Sequence, residues 1–369
     1  MRVRKAYVGC IAGAILAASC SSGGHPGDLT DPVTVEQGSV VGTVDVGVVR
    51  FQGIPYAAPP VGELRWQPPQ PPAGWAEPRR ANAPGARCPQ PAGAPGAAPA
   101  TPASDTEDCL TLNVTAPAGS TPQSRRPVLV WLHGGGFGAG AGSDVDPTRL
   151  VEAGPMVVVT VNYRLGMLGF LGLPGLPGSG SFGLLDQQQA LRWVQRNIGA
   201  FGGDPGNVTI AGESAGADSV CAQLAAPGSA GLYRRAILQS GGCSSANIID
   251  VIRPGTGTDG DTWKPLPQVE ATGRRVSAQL GCEKPATALA CLRRLPAAEL
   301  TAVTGAYWSP AVGTELLPSR PSDLVTSDQL PPVPMLAGTT RNEGALFTNI
   351  FFNQAGSPVT AAVLRGMLS

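Results

Sequence analysis

The pentapeptide Gly212-Glu213-Ser214-Ala215-Gly216 fits the pattern G-x-S-x-G. In that pattern the serine lies on a sharp turn between a strand and a helix, and an apolar run before it and a helix-forming stretch after it supply this context. The helix N-terminus favours an anion beside the serine. The chemistry indicated is attack by the serine hydroxyl on a carbonyl carbon. Because a short pattern also arises by chance in a glycine-rich chain, this pattern alone leaves the assignment open.

A second glycine cluster, HGGGF at residues 133–137, directly follows an apolar run that ends at Leu132. Successive glycines leave backbone N–H groups free to face an anion. The N–H groups of Gly135, Gly136 and Ala215 would together form an oxyanion hole, which is the largest electrostatic contribution in acyl transfer. A plain glycine-rich turn is the alternative, but it does not explain why the cluster follows an apolar run and precedes a nucleophile turn.

The elements that would position these residues follow from hydrophobic periodicity. Apolar runs predict strands buried on both faces of a parallel sheet at residues 128–132, 156–161, 208–210 and 333–336. An alternating pattern over residues 33–49 predicts a short antiparallel hairpin. Helices are predicted after Ser214, over residues 270–280 and 286–295, and through the stripe Leu184, Leu191, Val194 and Ile198. We expect an α/β fold with a mostly parallel central sheet and helices on both faces.

Composition limits the possible functions. Lys plus Arg and Asp plus Glu both number 26 in 369 residues, so there is no basic field to attract nucleic acid. Hydrophobic residues make up 42% of the chain, which is enough for a sizeable core. Glycine and proline are densest over residues 84–102, which predicts a proline-rich surface loop.

The N-terminus predicts export. Basic residues at positions 2, 4 and 5 precede an apolar run over residues 6–18 that is too short to span a bilayer. The sequence LAASC at residues 16–20 resembles a bacterial lipobox. We therefore expect a lipoprotein signal peptide at residues 1–20, a lipid on Cys20 and a flexible tether at residues 21–37, holding the protein at the outer face of the cell membrane. The alternative is an ordinary secretory signal, with no role for Cys20.

Six further cysteines also favour an exported protein. An even number of cysteines in an exported chain predicts disulfides, although sequence alone permits 15 arrangements. The spacing favours Cys88–Cys109 across the proline-rich loop and Cys282–Cys291 across a short loop, which leaves Cys221–Cys243 as the least secure pair. No metal site is expected, because C-x-x-C spacing is absent and the only histidines are His25 and His133.

The chain resembles the type-B carboxylesterase family, which also contains the cholinesterases. Residues 201–216 match the family's serine signature, and residues 107–114 match its second signature, from which Thr115 departs. Residues 53–57, 162–166 and 186–187 are also similar to family motifs. The likeness extends from about Gly38 to Phe347. It implies an α/β-hydrolase domain over residues 38–369.

The resemblance also implies roles for individual residues. Ser214 would be the nucleophile, Gly135, Gly136 and Ala215 the oxyanion donors, and Glu343 the triad acid. Arg65 and Glu107 resemble a structural ion pair, Glu213 an orienting group, and the bridges Cys88–Cys109 and Cys282–Cys291 match family disulfides. The substrate would be a small-molecule carboxylic ester, and no cofactor is implied because water is the second substrate. The identity of the ester and the oligomeric state stay open.

The catalytic histidine is not present in this sequence. In α/β-hydrolases the triad runs Ser, acid, His along the chain, and no His follows Glu343. His133 resembles a structural position packed beneath the oxyanion loop. We therefore expect a C-terminally truncated domain that lacks the last strand and the closing helices, with an uncapped helix over residues 357–368 and impaired hydrolysis. The alternative is a non-catalytic cholinesterase-like binding or adhesion lipoprotein. The presence of Ser214 and of the oxyanion glycines argues against this alternative.

Overall fold

A computed structural model describes residues 30–93, 101–244, 261–303, 308–349 and 360. The predicted signal peptide, Cys20, most of the tether and the helix predicted over residues 357–368 lie outside these residues. The strands are β1 Val33–Val35, β2 Gly38–Val41, β3 Thr43–Asp45, β4 Val48–Pro55, β5 Arg79–Arg80, β6 Thr111–Pro117, β7 Arg126–Leu132, β8 Val157–Val161, β9 Gly203–Glu213, β10 Arg235–Gln239, β11 Lys264–Pro265, β12 Ala311–Val312 and β13 Met335–Gly338. The helices are α1 Thr148–Ala153, α2 Gly166–Phe170, α3 Phe182–Asn197, α4 Ala215–Ala225, α5 Leu266–Gln279, α6 Ala288–Arg293, α7 Ala297–Thr301, α8 Pro321–Thr326 and α9 Glu343–Thr348.

Within the described parts of the chain, eight strands form the central sheet in the order β13-β10-β9-β7-β8-β6-β4-β3. The five strands from β13 to β8 are mutually parallel, and β6, β4 and β3 continue the sheet with antiparallel pairings. The predicted α/β class is therefore confirmed. The predicted strands β7, β8 and β9 are adjacent at the centre, so their carboxyl ends meet at one edge of the sheet.

Helices cover both faces of this sheet. The predicted stripe Leu184, Leu191, Val194 and Ile198 is completely buried along α3 and the turn after it, where it joins the main core with side chains of α4. On the opposite face, Val151 of α1 packs with Val48 and Val158 in a smaller cluster. The helices therefore hold β7, β8 and β9 from two sides.

Two of the predicted apolar strands are less buried than expected. In β7 burial alternates, so that Leu129 and Trp131 on one face are only partly covered. All four residues of β13 are exposed, with Met335 49% and Leu336 67% accessible. The prediction of burial on both faces was wrong for β13, because among the residues that the structure describes it is last in the strand order and pairs with β10 alone.

The N-terminal part contains two antiparallel pairs, β1 with β2 and β3 with β4, where the sequence predicts one hairpin. The boundary predicted between tether and domain is also too late. Residues 33–35 form β1, and the Thr30 N–H donates to the Gly42 carbonyl at 3.1 Å. The ordered domain therefore includes residues that the sequence places in the tether.

The three expected cysteine pairs are present as disulfides. Their Cα–Cα distances are 5.0 Å for Cys88–Cys109, 5.2 Å for Cys221–Cys243 and 5.6 Å for Cys282–Cys291. The second of these links α4 to the segment after β10. It therefore ties the helix that follows the serine turn to the segment after the neighbouring strand β10.

Candidate active site

Ser214 lies between the end of β9 and the first residue of α4, as the G-x-S-x-G pattern predicts. Its backbone angles are φ 54° and ψ −126°, a conformation that is strained for a residue with a side chain. The Ser214 N–H donates to the carbonyl of Gln239 at 2.9 Å, which fastens the turn to the neighbouring strand β10. The residue is partly exposed, so the turn raises its side chain out of the sheet.

The two glycines of the pattern are required by close backbone contacts. A Cβ atom at Gly212 would lie 2.3 Å from the carbonyl oxygen of Gly216, and one at Gly216 would lie 2.1 Å from that of Leu132. Real Cβ atoms do not approach backbone so closely. The serine turn is therefore pressed against the end of β7, where the HGGGF segment begins.

The HGGGF segment itself lies against the serine. A Cβ at Gly134 would lie 3.2 Å from the Cβ of Ser214 and 2.7 Å from the Glu213 carbonyl oxygen. Gly135 and Gly136 have φ values of 112° and 61°, which favour glycine. Within the described residues, the N–H groups of Gly135, Gly136 and Ala215 donate to no protein acceptor. The three amides therefore have no protein acceptor among the described residues, and Gly134, which precedes two of them, lies against Ser214.

His133 is packed beneath this segment. It is 4% exposed, and its ring stacks on that of Tyr163 with 4.3 Å between centroids. Nδ1 lies 2.8 Å from the Gly134 carbonyl, which can only accept, so the proton is on Nδ1. Burial lowers the pKa of His133 to about 4, and the ring is therefore neutral at pH 7.

Glu343 begins α9, just after β13. Its Oε1 accepts the Thr340 N–H at 2.7 Å, and a hydrogen bond from Ser240 contributes most to holding its pKa below the ordinary value. Burial raises the pKa of Glu213, and the negative charge of Glu343 raises it further, so the two carboxylates are near neighbours. Glu343 therefore lies at the same end of the sheet as the serine turn, where the parallel strands have their carboxyl ends.

Ser240 is a site residue that the sequence analysis missed. It directly follows β10, has a φ of 50°, and donates its N–H to the Gly338 carbonyl at 2.8 Å. The only sequence signal is a serine before two glycines after a short apolar run. The predicted ion pair is present as well, with Arg65 Nε donating to Glu107 at 2.7 Å.

The described residues contain no group of three His, Cys, Asp or Glu side chains placed to hold a metal ion. Within the same residues, no helix has both the length and the apolar character of a membrane span. The arrangement can present one hydroxyl group to a carbonyl carbon, with backbone donors placed for the oxygen of that carbonyl.

A sequence profile of the carboxylesterase family matches residues 30–363. The chain belongs to the carboxylesterase family. It is 40% identical over 319 residues to the para-nitrobenzyl esterase of Bacillus subtilis, which covers 85% of this chain and 63% of that protein. It is 38% identical over 322 residues to the acylcarnitine hydrolase of Mus musculus, covering 83% of this chain and 54% of that one. The chain thus spans less than two thirds of the length of these relatives.

Among solved structures, the carboxylesterase EST55 of Geobacillus stearothermophilus superposes with a TM-score of 0.74 at 37% identity, covering 86% of this chain and 63% of that chain. The α/β-hydrolase fold implied by the sequence resemblance is therefore confirmed. Family membership agrees with the placement of the serine turn, the glycine segment and Glu343 at one edge of the sheet.

Proposed function

We propose that this carboxylesterase-family chain carries the nucleophilic half of a serine ester hydrolase. The observation that supports this most directly is the position of Ser214, at a positive φ at the head of α4, beside three amides without a protein acceptor. A serine in that backbone conformation is costly to the fold, and such strain clusters at functional sites.

In the proposed reaction the Ser214 oxygen attacks the ester carbonyl carbon. The carbonyl oxygen becomes an oxyanion that accepts hydrogen bonds from Gly135, Gly136 and Ala215. Loss of the alcohol leaves an acyl-serine, which water then hydrolyses to the carboxylic acid and the free serine. The α4 N-terminus adds a favourable field at the oxyanion.

Glu343 is proposed as the acid that orients a base and stabilises its protonated form. Its lowered pKa supports this role, because the group is ionised at neutral pH. The base itself would be a histidine, and the 369 residues contain none after Glu343. His133 is buried, neutral and bonded to Gly134. We therefore propose that these residues alone hydrolyse esters weakly, since loss of a triad member typically lowers kcat by about 10⁴- to 10⁶-fold.

The test measures p-nitrobenzyl acetate hydrolysis by the 369-residue chain, with and without added imidazole as a replacement base. We expect a slow rate that imidazole increases, and no such increase in the Ser214→Ala variant. A fluorophosphonate probe should label the unchanged chain on Ser214, as located by peptide mass spectrometry. Equal imidazole response in the two proteins and no label on Ser214 would contradict a hydrolase and favour the non-catalytic binding protein.

We also propose that the protein is exported and anchored by a lipid on Cys20. Three disulfides among the described residues support an oxidising compartment, where such bridges persist. Metabolic labelling with an alkyne-tagged fatty acid in a bacterial host should mark the unchanged chain but not the Cys20→Ala variant. Recovery of both proteins from the medium without label would support plain secretion.

A further inference from the structure

Three buried polar side chains support the two pieces of the proposed oxyanion hole. Tyr163, Ser219 and Gln187 are all completely buried, and they come from the segment after β8, from α4 and from α3. Buried polar groups are costly unless they are hydrogen-bonded, so three of them at one place point to a specific geometric role. We call this group the tyrosine node.

The node holds the start of the oxyanion loop. The Tyr163 hydroxyl donates to the His133 carbonyl at 2.7 Å, and its ring stacks against the His133 ring. His133 in turn bonds Gly134 through Nδ1. Tyr163 therefore makes two contacts with His133, the first residue of the segment that carries the Gly135 and Gly136 amides. Through His133 it limits where those amides can lie.

The node also holds the first turn of α4. The Ser219 hydroxyl donates to the Ala215 carbonyl at 2.8 Å and accepts from Gln187 Nε2 at 2.9 Å. The residue whose N–H is the third proposed oxyanion donor is thus held at its own carbonyl by Ser219, which Gln187 fixes in turn.

Gln187 connects this network to the rigid part of the fold. Its Oε1 accepts from Gln223 Nε2 at 3.2 Å, and the same nitrogen donates to the Leu184 carbonyl at 2.9 Å. Helices α3 and α4 are therefore cross-linked by hydrogen bonds below the serine turn. Such support limits rotation of α4 relative to the sheet.

We propose that Tyr163 and Ser219 are positioning residues that set the spacing between the Gly135–Gly136 amides and the Ala215 amide. This inference rests on the proposed function for its catalytic consequence, but its structural content is independent of it. Oxyanion donors must lie about 2.7–3.1 Å from the developing charge, and a misplacement of about 1 Å can lower a rate by about 100-fold. Tyr163 fixes the loop side of that spacing through the His133 carbonyl, and Ser219 fixes the helix side through the Ala215 carbonyl.

The test compares Tyr163→Phe with Tyr233→Phe in the full chain. The two tyrosines are matched, since each is buried and donates one hydroxyl to a backbone carbonyl, Tyr233 to Gln223 at 2.8 Å near the far end of α4. We expect Tyr163→Phe to lower kcat for p-nitrobenzyl acetate with imidazole by about 10- to 100-fold at unchanged KM. Tyr233→Phe should change kcat by less than about twofold, and Ser219→Ala should resemble Tyr163→Phe.

Hydrogen exchange gives a second readout that needs no activity. The Gly138 and Ala139 N–H groups both donate to the Gly135 carbonyl at 3.1 Å, so they report on the closure of the loop. We expect these amides to exchange about tenfold faster in Tyr163→Phe than in Tyr233→Phe. Equal exchange in the two variants would overturn the inference.

The two failures are distinguishable. An unchanged chain that neither responds to imidazole nor labels at Ser214 contradicts the proposed function, while faster loop exchange in Tyr163→Phe alone still supports the node. An active chain in which both tyrosine variants lose kcat equally, or in which KM rises while kcat is kept, contradicts the positioning role.

Discussion

The serine side and the acid side of the site are built differently. Around Ser214, neighbouring backbone segments pack so closely that no Cβ atom would fit at Gly212, Gly216 or Gly134. Around Glu343, β13 is exposed along its whole length, and a Cβ at Gly338 would meet no atom within 4 Å. The serine half of the site is held by close backbone packing, and the acid half is held by a few hydrogen bonds beside the exposed strand β13.

This difference indicates which half depends on its surroundings. The geometry of the oxyanion donors follows from the central strands and tolerates no added volume, so we expect it to be present without substrate. Glu343 depends on hydrogen bonds from Thr340 and Ser240. Its position is expected to respond to pH and to local opening more readily.

The largest expected effect is that of Gly216→Ala, compared with Gly338→Ala on the acid side. The first places a methyl group 2.1 Å from the Leu132 carbonyl oxygen, and the second places one in open space. We expect Gly216→Ala to reduce the free energy of unfolding by about 3 kcal/mol or more, and Gly338→Ala to change it by about 0.5 kcal/mol or less. Denaturant midpoints of the purified chains measure both.

If the two alanine variants unfold at the same denaturant concentration, the contrast between a packed and an open half does not hold. A Gly216→Ala chain that is recovered only as aggregate would still agree with the prediction, provided that Gly338→Ala is soluble under the same conditions.

A second substitution pair separates packing from chemistry within the oxyanion loop. A methyl group at Gly134 would press on Glu213 and on the Ser214 Cβ, whereas one at Gly138 would find only the Gly136 carbonyl oxygen at 3.9 Å. We expect Gly134→Ala to slow fluorophosphonate labelling of Ser214 by about 100-fold, which is the loss typical of one oxyanion donor. Gly138→Ala should label at the rate of the unchanged chain. Equal rates in both variants would show that the loop does not border the serine as described.

The smallest expected effect is on the pH dependence of thermal stability, which should differ in sign between Glu213 and Glu343. Burial raises the pKa of Glu213, so its ionised form is disfavoured in the folded chain, and this loss of stability sets in as pH rises above the unfolded value of about 4.3. Glu213→Gln should therefore raise Tm slightly at pH 7 and have no effect below pH 4.

Glu343 should behave in the opposite way. Its pKa is lowered, so its carboxylate stabilises the fold above about pH 4.3, and that contribution is lost as pH falls through the lowered folded value. Glu343→Gln should lower Tm slightly at pH 7, by a small amount because solvent screens a partly exposed group. Thermal melts of the two variants at pH 4 and pH 7 check both signs, and a shift of the same sign for both would contradict this assignment.

The position of the serine turn between a strand and a helix could be predicted from the sequence because it depends on local backbone requirements. Glycines at fixed offsets around Ser214, and three in a row after β7, are visible without any knowledge of tertiary contacts. Ser240 and the tyrosine node could not be predicted in this way. Ser219 meets Gln187 from 32 positions away, and no local pattern marks either residue.

The errors in the fold have the same origin. An apolar run does not reveal whether its strand is central or at the edge of a sheet, which explains the wrong expectation for β13. The short strand β10 and the short helices α1 and α2 fall below the length at which periodicity is informative. In β9 the residues from Gly203 to Asn207 are rich in turn formers, and the strand nonetheless includes them because Gly203 pairs with Arg126 of β7 across a register shift.

The backbone at position 214 has a consequence for how this protein would change under selection. Its φ of 54° is readily adopted by glycine but is unfavourable for serine by about 1–3 kcal/mol. A mutant library sorted for heat resistance alone should therefore accumulate glycine at this position, and only a sort that also requires turnover should return serine. Serine at this position lowers the stability of the fold, so its retention in a lineage would indicate selection for catalytic activity.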